Sequence, residues 1–307
     1  MQQMLTTILP IFAIIVLGCC LRQFNFIQEG FLVQANRLVY FVAIPAMIFH
    51  EVSGITLSLY FDPFTVAAML LPLPIVIAAG FFQLRLVGLQ RSQVGTFLQC
   101  SFHGNLGYVG LAVSYYFLGK DGFTRASIFA GFLILLQNVL SVTLLHTFSS
   151  AARASRSPAV VVRQILFNPI ILAVTAGIVS SSLAVTLPVL LNRSLQILSG
   201  MALPLALLLI GASISFGKIR TYLRPLLSIS LSKLVLLPAV GLLLFRMLGI
   251  PKHNLLPALI LLASPTATVS YVMAKAIGGD ASLATAAVSL TTLVSALTFM
   301  FWLGIPS

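Results

Sequence analysis

Acidic side chains are the rarest chemistry in this chain: Asp and Glu together number 5 among 307 residues. That scarcity removes several function classes. An intramembrane aspartyl protease needs two aspartates facing each other within the bilayer, whereas Asp62, Asp121 and Asp280 all fall in breaks between apolar runs. Cysteine is nearly as scarce, with 3 in total, and Cys19 and Cys20 stand side by side, so there is neither a disulfide framework nor metal-ligand spacing. No H-E-x-x-H, G-x-S-x-G or P-loop sequence occurs, which leaves metalloprotease, serine hydrolase and ATP-driven chemistry without residues. No enzyme, no cofactor and no metal site is expected.

Polar surface is also in short supply. Charged residues make up 7% of the chain and hydrophobic ones 59%, with mean hydropathy +1.10. A soluble globule of this length could not be coated by so few polar groups, so the composition describes a polytopic membrane protein. The formal net charge of +12 comes from basic residues scattered singly or in small groups between apolar runs. Such spacing signals topology rather than nucleic-acid binding. V-L-G-C at 16–19 faintly resembles a lipoprotein cleavage site, but residues 1–15 lack the positive n-region of a secretory signal, and a retained first membrane helix is expected.

Apolar segments of membrane-spanning length fall at 5–21, 33–50, 64–84, 94–118, 124–148, 165–185, 196–216, 224–246, 254–277 and 282–304. The fold class expected is therefore an all-α polytopic membrane protein with ten transmembrane helices. The longest polar stretch, S-S-A-A-R-A-S-R-S-P-A-V-V-V-R-Q at 149–164, divides five segments from five. Residues 1–150 form the first expected unit, 151–163 a cytoplasmic linker, and 164–307 the second unit.

The two halves share landmarks at a fixed offset of 159 residues: Pro10 with Pro169, Gly18 with Gly177, Pro45 with Pro204, Gly119 with Gly278 and Asp121 with Asp280. An internal repeat is expected. Because five is odd, the second copy enters the membrane from the opposite side, and the repeat is inverted. Basic residues set the orientation. Arg22, Arg37, Arg85, Arg91, Arg153, Arg156, Arg163, Lys218, Arg220, Arg224 and Lys275 lie on one side, against Lys120, Arg125, Arg193, Arg246 and Lys252 on the other. The positive-inside bias puts the linker in the cytoplasm and both termini on the outer face of a cell (inner, plasma) membrane.

Two of the ten segments are interrupted by residues that a continuous membrane helix would not choose. The fourth is broken at Gly104, Asn105, Gly107 and Gly110, and the ninth at Ser264, Pro265, Thr266, Thr268 and Ser270. Backbone groups freed in hydrocarbon cost several kcal/mol each, so they persist only where protein or a wet cavity satisfies them. Paired breaks in corresponding halves point to a transporter's binding site, and the positive ends of two half-helices suit a carboxylate. The breaks are expected to meet near the midplane, where the helices cross.

The segments A-N-R-L-V-Y-F-V-A-I-P-A-M-I-F (35–49), G-N-L-G-Y-V-G-L (104–111), N-P-I-I-L-A (168–173), A-L-P-L-A-L-L-L-I-G-A (202–212) and S-P-T-A-T-V-S-Y-V-M-A (264–274) resemble the auxin efflux carrier family, along nearly the whole chain. The resemblance implies two inverted five-helix repeats, a scaffold and a transport domain, crossing fourth and ninth helices, and small organic anions as substrates, with this chain a compact prokaryotic member. The bile-acid:sodium symporter group has a similar crossover, which makes a sodium-coupled anion symporter the alternative; an anion channel is the rival class.

By position, Asn105 matches the family's asparagine at the break of the fourth helix, with Gly104 and Gly107 beside it, and Pro265 matches the crossover proline of the ninth. Two positions depart from the family pattern: Ala112 replaces a frequent proline, and Val269 follows P-T-A-T where asparagine is frequent. Thr266, Thr268, Ser270 or bare backbone then supply the second polar anchor. Substrate binding is assigned to these residues.

Other polar residues have competing readings. His103, one turn before the break, is either a proton-coupling group or a packed histidine. Lys233, the basic residue well inside a span, either draws anions or snorkels back toward the cytoplasm. Glu51 either couples a cation or is a solvated helix terminus. Pro45 and Pro204 are expected to kink the second and seventh helices, Asn168 with Pro169 to start the sixth, and Gln137 and Asn138 to need partners in the bundle. The expected partners are a small organic anion and the lipid bilayer, not nucleic acid. Oligomeric state is left open, a homodimer included.

Overall fold

A computed structural model describes residues 2–56, 59–149 and 167–305, with side chains from residue 5 onward. The linker expected at 151–163, with Arg153, Arg156 and Arg163, lies outside the described residues.

Among the described residues the chain is helical, and the helices follow the apolar runs. The first segment is α1 (Gln2–Gln23). The second runs from α2 (Glu29–Leu38) through a π-helical turn at Val39–Ala43 into α3 (Ile44–Ser53). The third is α4 (Pro63–Leu70) followed by α5 (Pro72–Val87). The fourth begins as α6 (Arg91–Phe102), breaks, and resumes through a π-helical turn at Leu106–Gly110 into α7 (Leu111–Phe148). Within α7 the chain turns at Gly119, whose φ of 71° is left-handed, and the fifth segment follows.

In the second half come α8 (Pro169–Ser182) and α9 (Val189–Ala212). The eighth segment is α10 (Leu223–Leu231), a π-helical turn at Ser232–Leu236 and α11 (Leu237–Met247). The ninth is α12 (Lys252–Ala263), a break, and α13 (Val269–Ile277); α14 (Ala281–Gly304) closes the fold. Seven of the helical stretches are long and apolar enough to cross a membrane, while Pro169–Ser182 and Lys252–Ala263 are shorter apolar helices.

Boundaries moved where polar residues ride on an exposed helix face. The seventh segment, expected at 196–216, is helical over Val189–Ala212 because Asn192, Arg193 and Ser194 sit exposed on its surface instead of ending it. The second starts at Glu29, ahead of the expected residue 33.

Two closely packed helix pairs hold one side of the structure together: α1 with α9, and α3 with α8. At the first pair the backbones nearly touch. A Cβ on Gly18 would lie 2.0 Å from the Leu208 carbonyl oxygen, and one on Gly211 1.8 Å from that of Ile15. At the second, a Cβ on Gly177 would lie 2.9 Å from Val52. Gly18 and Gly177, equivalent under the 159-residue offset, thus each sit at a helix contact. Gly119 and Gly278, another offset pair, are both left-handed, with φ of 71° and 85°.

The other side packs α5, α6, α7 and α10 to α14 around the two breaks. Polar clusters tie the ends of these helices. At one end Asp62 caps α4 by accepting from the Phe64 N–H at 3.0 Å, and it also accepts from the Thr65 hydroxyl and the Asn254 amide. Burial works to raise the Asp62 pKa, but these hydrogen bonds outweigh it and hold the carboxyl below its ordinary value. Arg125 donates to Asn254 Oδ1 at 3.0 Å and to Asp121 at 3.3 Å, with its guanidinium 4.7 Å from the Tyr60 ring centre. At the other end Asp280 accepts from Gln93 and from the Tyr222 hydroxyl, both at 3.1 Å, and caps α14 through the Leu283 N–H. Asn254 opens α12 and Gln93 opens α6, so the helices that carry the breaks are anchored at their starts.

Candidate functional site

The two interruptions meet. Gly104 and Thr266 form an antiparallel bridge, in which the Asn105 N–H donates to the Pro265 carbonyl at 2.7 Å and the Ala267 N–H donates to the His103 carbonyl at 2.9 Å. Each of these bonds replaces one that an unbroken helix would have made to the carbonyl four residues earlier.

Three of the carbonyls near the breaks accept from side chains. The Cys100 carbonyl accepts from the Thr266 hydroxyl at 2.9 Å. That of Phe102 accepts from Gln137 Nε2 at 3.2 Å. The Leu262 carbonyl accepts from Lys233 Nζ at 2.7 Å, because Thr266 N–H, its helical partner in a continuous helix, donates instead to Thr291 Oγ1 at 3.0 Å. Side-chain donors of this kind help broken backbone to persist in an apolar interior.

Several buried polar atoms find no partner, some in the broken segments and some elsewhere in the bundle. Among the described residues they include Asn105 Nδ2, Ser270 Oγ, Gln99 Oε1, Gln137 Oε1 and Thr292 Oγ1. A buried donor or acceptor without a partner costs about 1–3 kcal/mol. In the chain, Asn105 directly precedes the resuming turn at Leu106–Gly110 and Ser270 stands in the first turn of α13, and helix starts of this kind leave N–H donors unpaired and carry positive charge.

The sequence-selected residues separate by placement. Gly104, Asn105, Pro265 and Thr266 form the bridge itself. Ser270 is buried in the first turn of α13, while Thr268, its N-cap, is half-buried and makes no side-chain cap bond. Gly107 lies apart from the bridge and faces α8, where an added Cβ would come 3.0 Å from Ile170. His103 is buried, with Nδ1 2.8 Å from the Ser141 hydroxyl. Lys233 is fully buried and reaches the break, so the snorkelling option does not apply to it.

Glu51 sits away from the break, in the last turn of α3, 3.6 Å from His50 Nδ1 and 3.9 Å from Lys120 Nζ. Pro45 opens α3 directly after a π-helical turn, and Pro204 lies inside α9. Asn168 caps α8 by accepting from the Ile170 and Ile171 N–H groups, as its position before Pro169 implied.

Thr291, Ser141 and Gln99 were not singled out from sequence. Each is a small or amide side chain within a helix, and its contacts across the bundle, not its local sequence, distinguish it from the polar residues nearby. Thr266 turns out to spend its hydroxyl on the fold. Thr266→Val is expected to destabilise the protein by about 1–3 kcal/mol by orphaning the Cys100 carbonyl. A melting curve of the purified protein in detergent measures this; an unchanged midpoint would show that the bond contributes nothing.

Apolar helices of spanning length around an internal polar locus define a multi-pass membrane protein of the transport class. The chain belongs to the membrane transport protein family, the auxin efflux carrier group, whose family model matches residues 3–303. Among curated relatives, a Rhizobium meliloti protein named "Putative malonate transporter" is 27% identical over 97% of this chain and 94% of its own length. An uncharacterized transporter from Methanocaldococcus jannaschii is 24% identical, and one from Methanothermobacter thermautotrophicus 22%, each over 96% of both chains.

Proposed function

We propose that this protein is a secondary-active carrier of a small organic anion, a short carboxylate of the malonate class, working by alternating access around the two breaks. The observation that carries this reading is the hydrogen-bonded meeting of the interrupted segments, with Asn105 Nδ2 and the Ser270 hydroxyl buried without partners beside half-helix N-termini. A carboxylate would satisfy both donors and lie against the positive helix ends. The malonate transporter name of the Rhizobium meliloti relative supports the substrate class.

In this reading the ten helical segments form two inverted five-helix repeats, residues 1–150 and 164–307, with helices four and nine crossing. The equivalent placement of Gly18 with Gly177 and of Gly119 with Gly278 supports the inversion. The group of α1, α2, α3, α8 and α9 is the scaffold, and the bundle around the breaks slides or rocks against it. The protein resides in the plasma membrane with both termini outside.

Purified protein in liposomes preloaded with unlabelled malonate tests the reading. Labelled malonate is expected to enter saturably and to accumulate transiently above equilibrium, the signature of exchange through a carrier. Single-channel currents carried by the anion would overturn it.

A further inference from the structure

One buried cation faces the break with no acid to pair with. Lys233 has none of its surface exposed, and among the described residues no Asp or Glu lies within ion-pairing distance of it. Its position is built. Lys233 stands in a π-helical turn, Ser232–Leu236, in which Ser232, Lys233 and Leu234 are all buried. Its Nζ donates to the Leu262 carbonyl, one residue before the end of α12.

Gly104, in the opposing break, leaves the room. A Cβ there would stand 3.3 Å from both Lys233 Cε and Nζ. One ammonium therefore contacts the carbonyl end of one broken helix and packs against the backbone of the other.

Carbonyls released at a helix break, together with nearby hydroxyls, are the groups that hold a sodium ion in carriers built on broken helices. Here a covalently attached ammonium already occupies that carbonyl. We propose, resting on the carrier reading above, that Lys233 is the built-in cation of the site, standing where the freed carbonyls would otherwise draw in sodium, so that the anion is carried without sodium. The ammonium offsets the carboxylate's charge in the low-dielectric interior and remains with the protein when the anion leaves. Sodium coupling, the alternative left open by the sequence, is then not required.

The test is uptake of labelled malonate, and of a panel of short mono- and dicarboxylates, into proteoliposomes in sodium chloride or choline chloride. Wild-type rates should be equal in the two salts, and a sodium requirement would overturn the proposal while leaving the carrier reading intact. Lys233→Met, neutral and of similar length, should lose at least about tenfold of its uptake in choline, since a charge-assisted bond is removed; uptake restored by sodium in this variant would be the strongest support. Uptake by Lys233→Met within about twofold of wild type in choline would overturn the proposal. If the variant does not fold, the wild-type comparison of the two salts decides. If wild-type protein moves no carboxylate in either salt, the carrier reading and this inference fall together.

Discussion

Asn105→Ala is expected to reduce carboxylate transport by about tenfold or more while leaving the protein as stable as before, or slightly more so. The asymmetry follows from what the side chain does in the resting structure. Its Nδ2 is buried and unpaired, which costs folding free energy rather than contributing it. The structural bonds at this position are made by the main chain. The N–H donates to the Pro265 carbonyl, and the Asn105 carbonyl accepts from the N–H groups of Val109 at 3.2 Å and Gly110 at 3.0 Å. Alanine keeps all three. A residue that merely propped the break would behave in the opposite way, with a lowered melting midpoint and unchanged uptake per folded molecule. Initial rates of malonate uptake measured beside melting curves separate the two.

The largest loss of stability should come from Gly211→Ala, far from any substrate. The added methyl would sit 1.8 Å from the Ile15 carbonyl oxygen and 3.0 Å from the Cys19 nitrogen. Both are backbone atoms of α1 and cannot swing aside, so α1 and α9 would have to separate along their contact. Overpacking typically costs about 1–3 kcal/mol, and a backbone clash of this depth belongs at or above the upper end. Gly200→Ala is the control within the same helix. Beyond the helix's own backbone and the adjoining residues, no atom lies within 4 Å of where its methyl would stand, so the substitution should be neutral or add about 0.5–1 kcal/mol through helix propensity. Melting midpoints and elution profiles in detergent report both. Similar behaviour of the two variants would contradict the close approach of α1 and α9.

How much of this was legible in the sequence depends on whether the signal is local. The helical segments were, because ~20-residue apolar runs have few other fates. The breaks were too, since Gly104, Asn105 and Gly107 in one run and Ser264 with Pro265 in another disfavour continuous helix whatever surrounds them. What a broken strand of backbone bonds to is a long-range property. Nothing near Thr266 indicates that its hydroxyl serves the Cys100 carbonyl, 166 residues away in the chain. Lys233 is the clearest case. Its distance from Arg224 left snorkelling and inward placement open, and the bond to the Leu262 carbonyl that settles the matter is made 29 residues away in the chain. The close helix contact at Gly18 and Gly211 was equally hidden, although the offset pairing of Gly18 with Gly177 had marked one of them as a landmark.

The most direct test of the central claim is an electron cryomicroscopy structure of the protein with malonate bound. The account predicts density for the carboxylate between residues 104–107 and 266–270, within about 3 Å of Asn105 Nδ2. Ligand density elsewhere, with both breaks still closed on each other and empty, would contradict it.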